Sequence, residues 1–338
     1  MIISRTPFRV SFFGGGTDYP AWTRAHPGAV LAATINKYCY ITCRWLPPFF
    51  EYRSRILYSQ VELARTNAEI RHPAVRETLR HLGIEEGVEI HHDGDLPART
   101  GLGSSSTFTV GLLHALHGLR GVMPSKMDLA LGAIHVEQER IGETVGMQDQ
   151  VLAAHGGLNR IDFLPGRPIL VSPVLVPAER LEAFQDHLML LFTGFTRTAS
   201  EVAADVVARI PSREAELRRM LELLEEASRV LHGTGDLADF GRLLDESWTL
   251  KRSLSERVST REVDAVYAKA RAAGALGGKL LGAGGGGFML LFARPGDHER
   301  IRRALPGFLH VPFRFEFLGS QIIFFDRVNV SELRRAES

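Results

Sequence analysis

Apolar and polar positions alternate from Ile2 and close on Val10-Ser11-Phe12-Phe13, which predicts a strand over 2–13 running into Gly14-Gly15-Gly16. Residues 28–46 are β-rich, either one long bent strand or two. A helix is predicted around 73–82 and a strand over Val88-Glu89-Ile90-His91-His92. Over 104–120 and 124–141 apolar residues recur at three- and four-residue spacing, the pattern of helices with one buried face. Gly156-Gly157 ends the next helix, and Leu158 to Phe163 reads as a strand. Pro165, Gly166, Pro168, Pro173 and Pro177 then cluster, which suggests a boundary near 165–180. Beyond it come a strand from His187 to Phe192 and helices at about 198–209, 212–232, 236–252 and 260–273. Ser212 with Glu214-Ala215-Glu216 resembles a helix start. Gly282 to Gly287 lead into the strand Phe288 to Phe292, followed by a short helix near 297–304 and strands near 308–317 and 320–325. Strands and helices mix without regular βαβ alternation, so the class is α+β.

Composition narrows the reading. A chain of 338 residues exceeds the usual single core and points to two domains. Lys+Arg is 40 and Asp+Glu 39, so the balance argues against nucleic acid or an anionic membrane as the main partner. No run of about 18 apolar residues occurs. The start, Met1 to Pro7, lacks the basic and apolar regions of a signal peptide. Cys39 and Cys43 fall on one face of a predicted strand, about 13 Å apart. That is too far for a disulfide. Two core thiols and a reducing cytoplasm are the expectation. The 33 glycines are an excess over an average of about 7%, and their positions carry the chemistry.

The middle glycine segment is Leu96-Pro97-Ala98-Arg99-Thr100-Gly101-Leu102-Gly103-Ser104-Ser105-Ser106, running into an apolar helix. Glycines let a ligand approach the backbone, and a helix start offers N–H groups and a positive dipole end to phosphate. A plain loop with a serine cap is the alternative. The third segment, Gly282-Ala283-Gly284-Gly285-Gly286-Gly287-Phe288, matches G-x-G-x-x-G but runs into a strand, so it is not a dinucleotide fingerprint. Nor is there a Walker P-loop, because Gly278-Lys279 is followed by Leu280 and position 273 is Ala. A tight turn or part of a site remains. In the first segment, Phe12-Phe13-Gly14-Gly15-Gly16-Thr17-Asp18-Tyr19-Pro20, a strand end delivers one carboxylate. Asp18 either accepts from sugar hydroxyls or caps the turn. Two more acids, Glu137 and Asp149, lie twelve apart with Gly142 and Gly146 between them. One carboxylate holding Mg²⁺ and another orienting a hydroxyl would make a phosphoryl-transfer pair; exposed helix charges are the alternative.

These three segments, in this order, resemble the three motifs of the GHMP small-molecule kinases, which include galactokinase, homoserine kinase, mevalonate kinase and phosphomevalonate kinase. Within that family the chain is most similar to the D-glycero-D-manno-heptose 7-phosphate kinases. The features are Gly-Gly-Gly-Thr-Asp, Ile35-Asn36-Lys37-Tyr38, Thr193-Gly194 with Arg197-Thr198-Ala199-Ser200, Lys279 before the third motif, and Gly319-Ser320-Gln321-Ile322-Ile323. The resemblance implies an N-terminal ribosomal-protein-S5-like domain over 1–170 and a ferredoxin-like domain over 171–338, with the site between them. It also implies a left-handed βαβ crossover.

Carried over, the resemblance places Pro97, Thr100, Gly101, Leu102, Gly103, Ser104, Ser105 and Ser106 around ATP. It makes Ser105 and Glu137 the Mg²⁺ ligands, Asp149 the general base, and Arg9 a basic residue near the transferred group. Gly15, Gly16, Thr17, Asp18, Lys37, Arg197, Lys279, Gly284 and Gly285 are expected toward the substrate. Galactokinases carry Glu-His where this chain has Gly15 and Gly16, which argues against galactose and leaves room for a larger sugar. The cations for a sugar phosphate would come from Lys37, Arg44, Arg197 and Lys279, any of which is otherwise surface charge.

The expected activity is therefore ATP-dependent phosphorylation of the anomeric hydroxyl of a heptose 7-phosphate. A fucokinase-like sugar 1-kinase shares every catalytic feature, and a mevalonate- or homoserine-type kinase fits the first motif less well. A catalytically silent ATP and sugar sensor on the same fold is the rival from another class. The expected partner is a small sugar phosphate, with neither nucleic acid nor membrane, and the sequence leaves self-association open.

Overall fold

The structure is a computed structural model that describes residues 1–98, 100–194 and 199–326. Its larger sheet is built from β1 (Ile2–Phe13), β2 (Gly28–Trp45), β3 (Ser54–Leu57), β4 (Val61–Ala64), β5 (Val88–Gly94), β6 (Leu158–Phe163) and β7 (Leu170–Pro173). The smaller sheet holds β8 (Leu188–Phe192), β9 (Ala275–Leu280), β10 (Phe288–Ala293) and β11 (Leu309–His310). The last described strand, β12 (Gln321–Phe325), returns to the larger sheet. The orders are β12-β1-β2-β5-β3-β4 and β11-β8-β10-β9.

β2 is one strand long enough to serve two neighbours. Its first half pairs with β6 and its second half with β5, while β1 runs along both. Register shifts between Pro7 and Arg9 and between Ser11 and Phe13 mark where the ribbon bends. Cys39 and Cys43 are buried free thiols on this strand.

The helices are α1 (Pro20–Thr23), α2 (Pro73–Leu82), α3 (Ser104–Leu119), α4 (Lys126–His135), α5 (Gln148–His155), α6 (Ala178–Asp186), α7 (Ala199–Arg209), α8 (Glu214–His232), α9 (Ala238–Leu254), α10 (Arg261–Ala272) and α11 (His298–Ala304). α3 is apolar on nearly every side because it lies on β1 and β2 beneath α4 and α5. No described helix is long and apolar enough to cross a membrane.

The two sheets share one core. Phe12 and Phe13 end β1 and enter a cluster of Phe184, Phe240, Phe292 and Phe315, contributed by α6, α9, β10 and the chain before β12. Most of these rings meet edge to face, an arrangement worth about 0.5–1.5 kcal/mol per pair beyond the buried area. This cluster fixes the glycine turn after β1 between the two halves.

Several elements differ from expectation. The helix over 124–141 becomes α4 followed by a π-helical turn, Val136–Ile141. A π turn takes an extra residue per turn and so re-aims the side chains it carries, Glu137 among them. The strand near 308–317 is reduced to Leu309–His310 and a bridge between Ile35 and Phe315, since Pro312 has no N–H to give a ladder. Ser212 does not open a helix. It sits in a 3₁₀ turn with its Oγ donating to the Arg209 carbonyl at 2.9 Å, and α8 starts at Glu214. β9 gave no strand pattern because two of its residues are Gly277 and Gly278. There, added Cβ atoms would strike the backbone of Gly241 and Leu290.

Candidate active site

Three segments distant in sequence converge on Arg9. Its side chain is almost fully buried at the bend of β1. Nε and Nη2 donate to the two oxygens of Asp149 at 2.7 and 2.8 Å, a bidentate fork. Nη1 donates to the Gly101 carbonyl at 2.6 Å, and the Arg9 backbone N–H donates to the Leu102 carbonyl at 3.2 Å. One residue therefore holds the acid at the start of α5 and the loop before α3 in fixed relation.

That loop is shaped by glycine. Gly101 and Gly103 have φ of 86° and 77°, a left-handed conformation that L side chains rarely adopt. Gly103 stands at the head of α3, which has no side-chain cap there. A Cβ on Gly103 would lie 3.1 Å from Asp149 Oδ2 and 3.4 Å from Arg9 Cγ. The positive end of a sixteen-residue helix, the Arg9 guanidinium and the Asp149 carboxylate thus share one small volume. Thr100 is buried, with its Oγ1 donating to the Pro97 carbonyl at 2.8 Å, and Leu102 is buried. Ser104 lies in the first turn of α3, and Ser105 is exposed.

Ser105 stays the expected partner of Glu137 at Mg²⁺, exposed at the head of α3, while a different serine bonds the carboxylate itself. It is Ser106 Oγ that donates to Glu137 Oε2, at 2.8 Å, because successive helical residues point about 100° apart and the inward one is Ser106. Thr109 Oγ1 donates to Glu137 Oε1 at 2.8 Å, and Gln150 Nε2 donates to Oε2. Burial pushes the Glu137 carboxyl up to about 7, against the pull of these three donors.

The first segment is more tightly built than its motif suggests. Thr17 Oγ1 donates to the carbonyls of Gly14 and Ala29 at 2.8 and 3.0 Å, so this side chain ties the turn to β2. Gly16 packs on Leu217 and Leu254. Asp18 is buried and caps backbone: Oδ1 accepts from Gly16 N at 3.0 Å and Oδ2 from Gln148 N at 3.3 Å. Its hydrogen bonds are those of the turn-capping alternative. Burial raises its pKa, backbone donors oppose that, and the nearby charge of Asp149 adds to the rise. Gly146 must lack a side chain because a Cβ would collide with this carboxylate.

The third segment backs the second. Gly282 approaches Gly101 so closely that a Cβ would sit 2.5 Å from the Gly101 Cα, and the Phe288 N–H donates to the Thr100 carbonyl at 3.0 Å. Gly284 and Gly285, expected toward the substrate, instead abut the loop after α9. Gly285 N–H donates to the Val258 carbonyl at 2.9 Å.

The candidate cations separate. Lys279 is buried on β9 with its Nζ donating to the Phe12 carbonyl at 2.9 Å, and burial drives its pKa well down. It is a strut behind the end of β1. Arg44 pairs with Glu89, alongside Arg55, on the second half of β2. Lys37 is partly exposed on β2, and Arg197 lies outside the described residues.

One residue escaped the sequence reading. Lys251 on α9 is buried and donates to the carbonyls of Leu280, at 3.2 Å, and Gly282. Burial pushes its ammonium down to about 7; Arg9 adds to this, while Asp18 and Asp149 oppose it. The signal was available, since Leu244, Ser247, Trp248, Lys251 and Leu254 form the buried stripe of that helix.

Comparison with known proteins gives the family. Residues 68–157 match the family model for the GHMP kinases N terminal domain, and residues 220–310 match that for GHMP kinases C terminal. The chain is 28% identical over 321 residues to a D-glycero-alpha-D-manno-heptose 7-phosphate kinase of Campylobacter jejuni, spanning 90% of this chain and 93% of that protein. It is 26% identical to a bifunctional fucokinase/GDP-fucose pyrophosphorylase of Arabidopsis thaliana, over 88% of this chain and 30% of that longer protein. The crystal structure of a D-glycero-D-manno-heptose 1-phosphate kinase from Bacteroides thetaiotaomicron shares the fold. Its TM-score is 0.72 at 24% identity, covering 97% of this chain and 100% of that one. With both family models matched across more than half its length, the chain belongs to the GHMP kinase family and is an ATP-dependent kinase.

Proposed function

We propose that the chain transfers the γ-phosphoryl group of ATP to the anomeric C1 hydroxyl of D-glycero-D-manno-heptose 7-phosphate, giving the 1,7-bisphosphate. The observation that carries the transfer chemistry is the contact of Asp149 with Gly103. A carboxylate able to take a hydroxyl proton lies directly against the head of the helix suited to hold phosphates. The choice of sugar rests on the relative named for heptose 7-phosphate, which aligns over most of both chains. It rests also on Gly15, a partly exposed position of the first motif that carries no side chain. Such a product would be activated toward a nucleotide sugar for surface polysaccharide.

Asp149 holds the C1 hydroxyl and accepts its proton as the oxygen attacks. An anomeric hydroxyl is more acidic than an ordinary alcohol, so a carboxylate forked to a guanidinium suffices. Arg9 keeps Asp149 in position and sets positive charge beside the transferred group, and the N–H groups heading α3 offset charge on the phosphate oxygens. Glu137 fits a resident Mg²⁺: it is a buried carboxylate with hydroxyls from Ser106 and Thr109 on it and no cationic partner among the described residues. Such hard oxygen donors, few in number, suit an ion that takes its remaining ligands from phosphates and water. Mg²⁺ held by Glu137 would offset negative charge on the phosphoryl oxygens.

The test is ADP release in a coupled assay with heptose 7-phosphate, mannose 6-phosphate, fucose and galactose. The proposal expects heptose 7-phosphate to give the highest kcat/KM. Turnover of fucose instead would establish the fucokinase-like alternative. ATP binding without ADP release from any sugar would leave the silent sensor.

A further inference from the structure

We infer that Ser11 and Gln148 form a socket for the sugar hydroxyl next to the reacting one, and so set which sugars the site accepts. The inference rests on the sugar 1-kinase reading above. Ser11, on β1, is 5% exposed, and its Oγ has no hydrogen-bond partner among the described residues. The Gln148 Oε1 is buried and equally without a partner there. The two side chains approach the same point: a Cβ on Gly15 would lie 3.6 Å from Gln148 Nε2 and 3.8 Å from Ser11 Oγ. Gly15 is partly exposed, whereas Gly14, Gly16, Thr17 and Asp18 around it are buried. Beyond Gly15's chain neighbours, only the Gln148 carboxamide and Ser11 Oγ come within 4 Å of where that Cβ would sit, and Ser11 Oγ and Gln148 Oε1 are unsatisfied among the described residues. Leaving such groups unpaired is unfavourable, and a ligand hydroxyl would relieve it.

The socket is also held still. Gln148 N donates to Asp18 Oδ2 at 3.3 Å, and the next residue is Asp149. Gln148 and Asp149 thus both leave the first turn of α5, and a sugar held by both side chains would present neighbouring hydroxyls to them. The chemistry selects the ligand class. A hydroxyl and a carboxamide are neutral and both donate and accept, which matches an alcohol and not a phosphate. The charged groups nearby already have partners, Asp18 on backbone N–H groups and Asp149 on Arg9. The phosphate of a phosphosugar must then be met elsewhere, and this socket reads the ring.

The test compares mannose 6-phosphate with 2-deoxyglucose 6-phosphate, which lacks the hydroxyl beside C1, in the wild-type chain, Gln148→Met and Ser11→Ala. The wild-type chain should prefer the 2-hydroxy sugar by at least about tenfold in kcat/KM, as sites with buried polar groups reject ligands that leave them unpaired. In both variants the ratio should fall toward one, through a raised KM for the 2-hydroxy sugar, with KM for ATP unchanged. Gln148 is partly exposed, so its variant keeps the test valid if Ser11→Ala folds poorly, and melting temperatures identify that case. Variants that fold and discriminate like the wild-type chain would overturn the inference while leaving the kinase reading intact. No ADP release from any sugar by the wild-type chain would overturn both.

Discussion

Arg9 grips both oxygens of Asp149 while its remaining nitrogen holds the Gly101 carbonyl, so the acid and the glycine loop move as one body. Asp149→Asn keeps the shape and removes the charged acceptor. It should lower kcat by about 10²–10⁴-fold, with ATP affinity, read by titration calorimetry, unchanged. Near-full turnover would remove Asp149 from the role of base. Arg9→Lys should also lower kcat, because an ammonium lacks the fork that reaches two oxygens and a carbonyl together.

Gly103→Ala tests the contact between helix head and acid. At φ 77° an L side chain costs about 1–2 kcal/mol, and its Cβ would press on Asp149 Oδ2 at 3.1 Å. Denaturant melts should show a loss of that size, and kcat should fall further than the melts alone explain. A variant that lost stability with kcat intact would separate Gly103 from the reaction.

The Mg²⁺ requirement should depend on pH. Glu137 has its carboxyl raised to about 7, so below that pH a proton competes for the oxygens that would hold the ion. The apparent KM for Mg²⁺ should rise by about tenfold for each pH unit below 7 and level off above it. Glu137→Gln should remove this dependence and most of the activity. A KM for Mg²⁺ that stayed flat from pH 8 to 5.5 would exclude Glu137 as a ligand.

Lys251 links stability to pH with a defined sign. Its native pKa of about 7 lies below the ordinary 10.5, so between these values the unfolded chain binds a proton that the native chain does not. The penalty on folding is therefore full at and below pH 7 and fades as pH rises to 10.5. Lys251→Met removes it. The variant's stability minus that of the wild-type chain should decline from pH 7 to 10, by at most about 1.4 kcal/mol per pH unit. A difference that stays constant over that range would show that Lys251 titrates normally.

The sequence made the fold legible where periodicity was strong, as in the helices over 104–120 and 260–273 and the strand over 2–13, whose observed ends lie within about two residues. It failed where local propensity was overruled. β9 is a strand of glycines and a buried lysine because α9 presses on it, which no local pattern reports. In the site, Arg9, Asp149 and the glycine loop were visible as motifs, and the structure brings them into contact. That Ser106 bonds Glu137 was not visible, since it depends on how α3 is rotated against the π turn that carries Glu137. Lys279 looked like a free cation because charge is normally exposed, and only the tertiary fold shows it donating to the Phe12 carbonyl.

The central claim is that this site carries phosphoryl groups to the anomeric oxygen of a phosphosugar. The most direct measurement is ³¹P and ¹³C NMR of the product formed from ATP and heptose 7-phosphate. The account predicts a new phosphate on C1, with the phosphate on C7 retained. A new phosphate on any other carbon would contradict it.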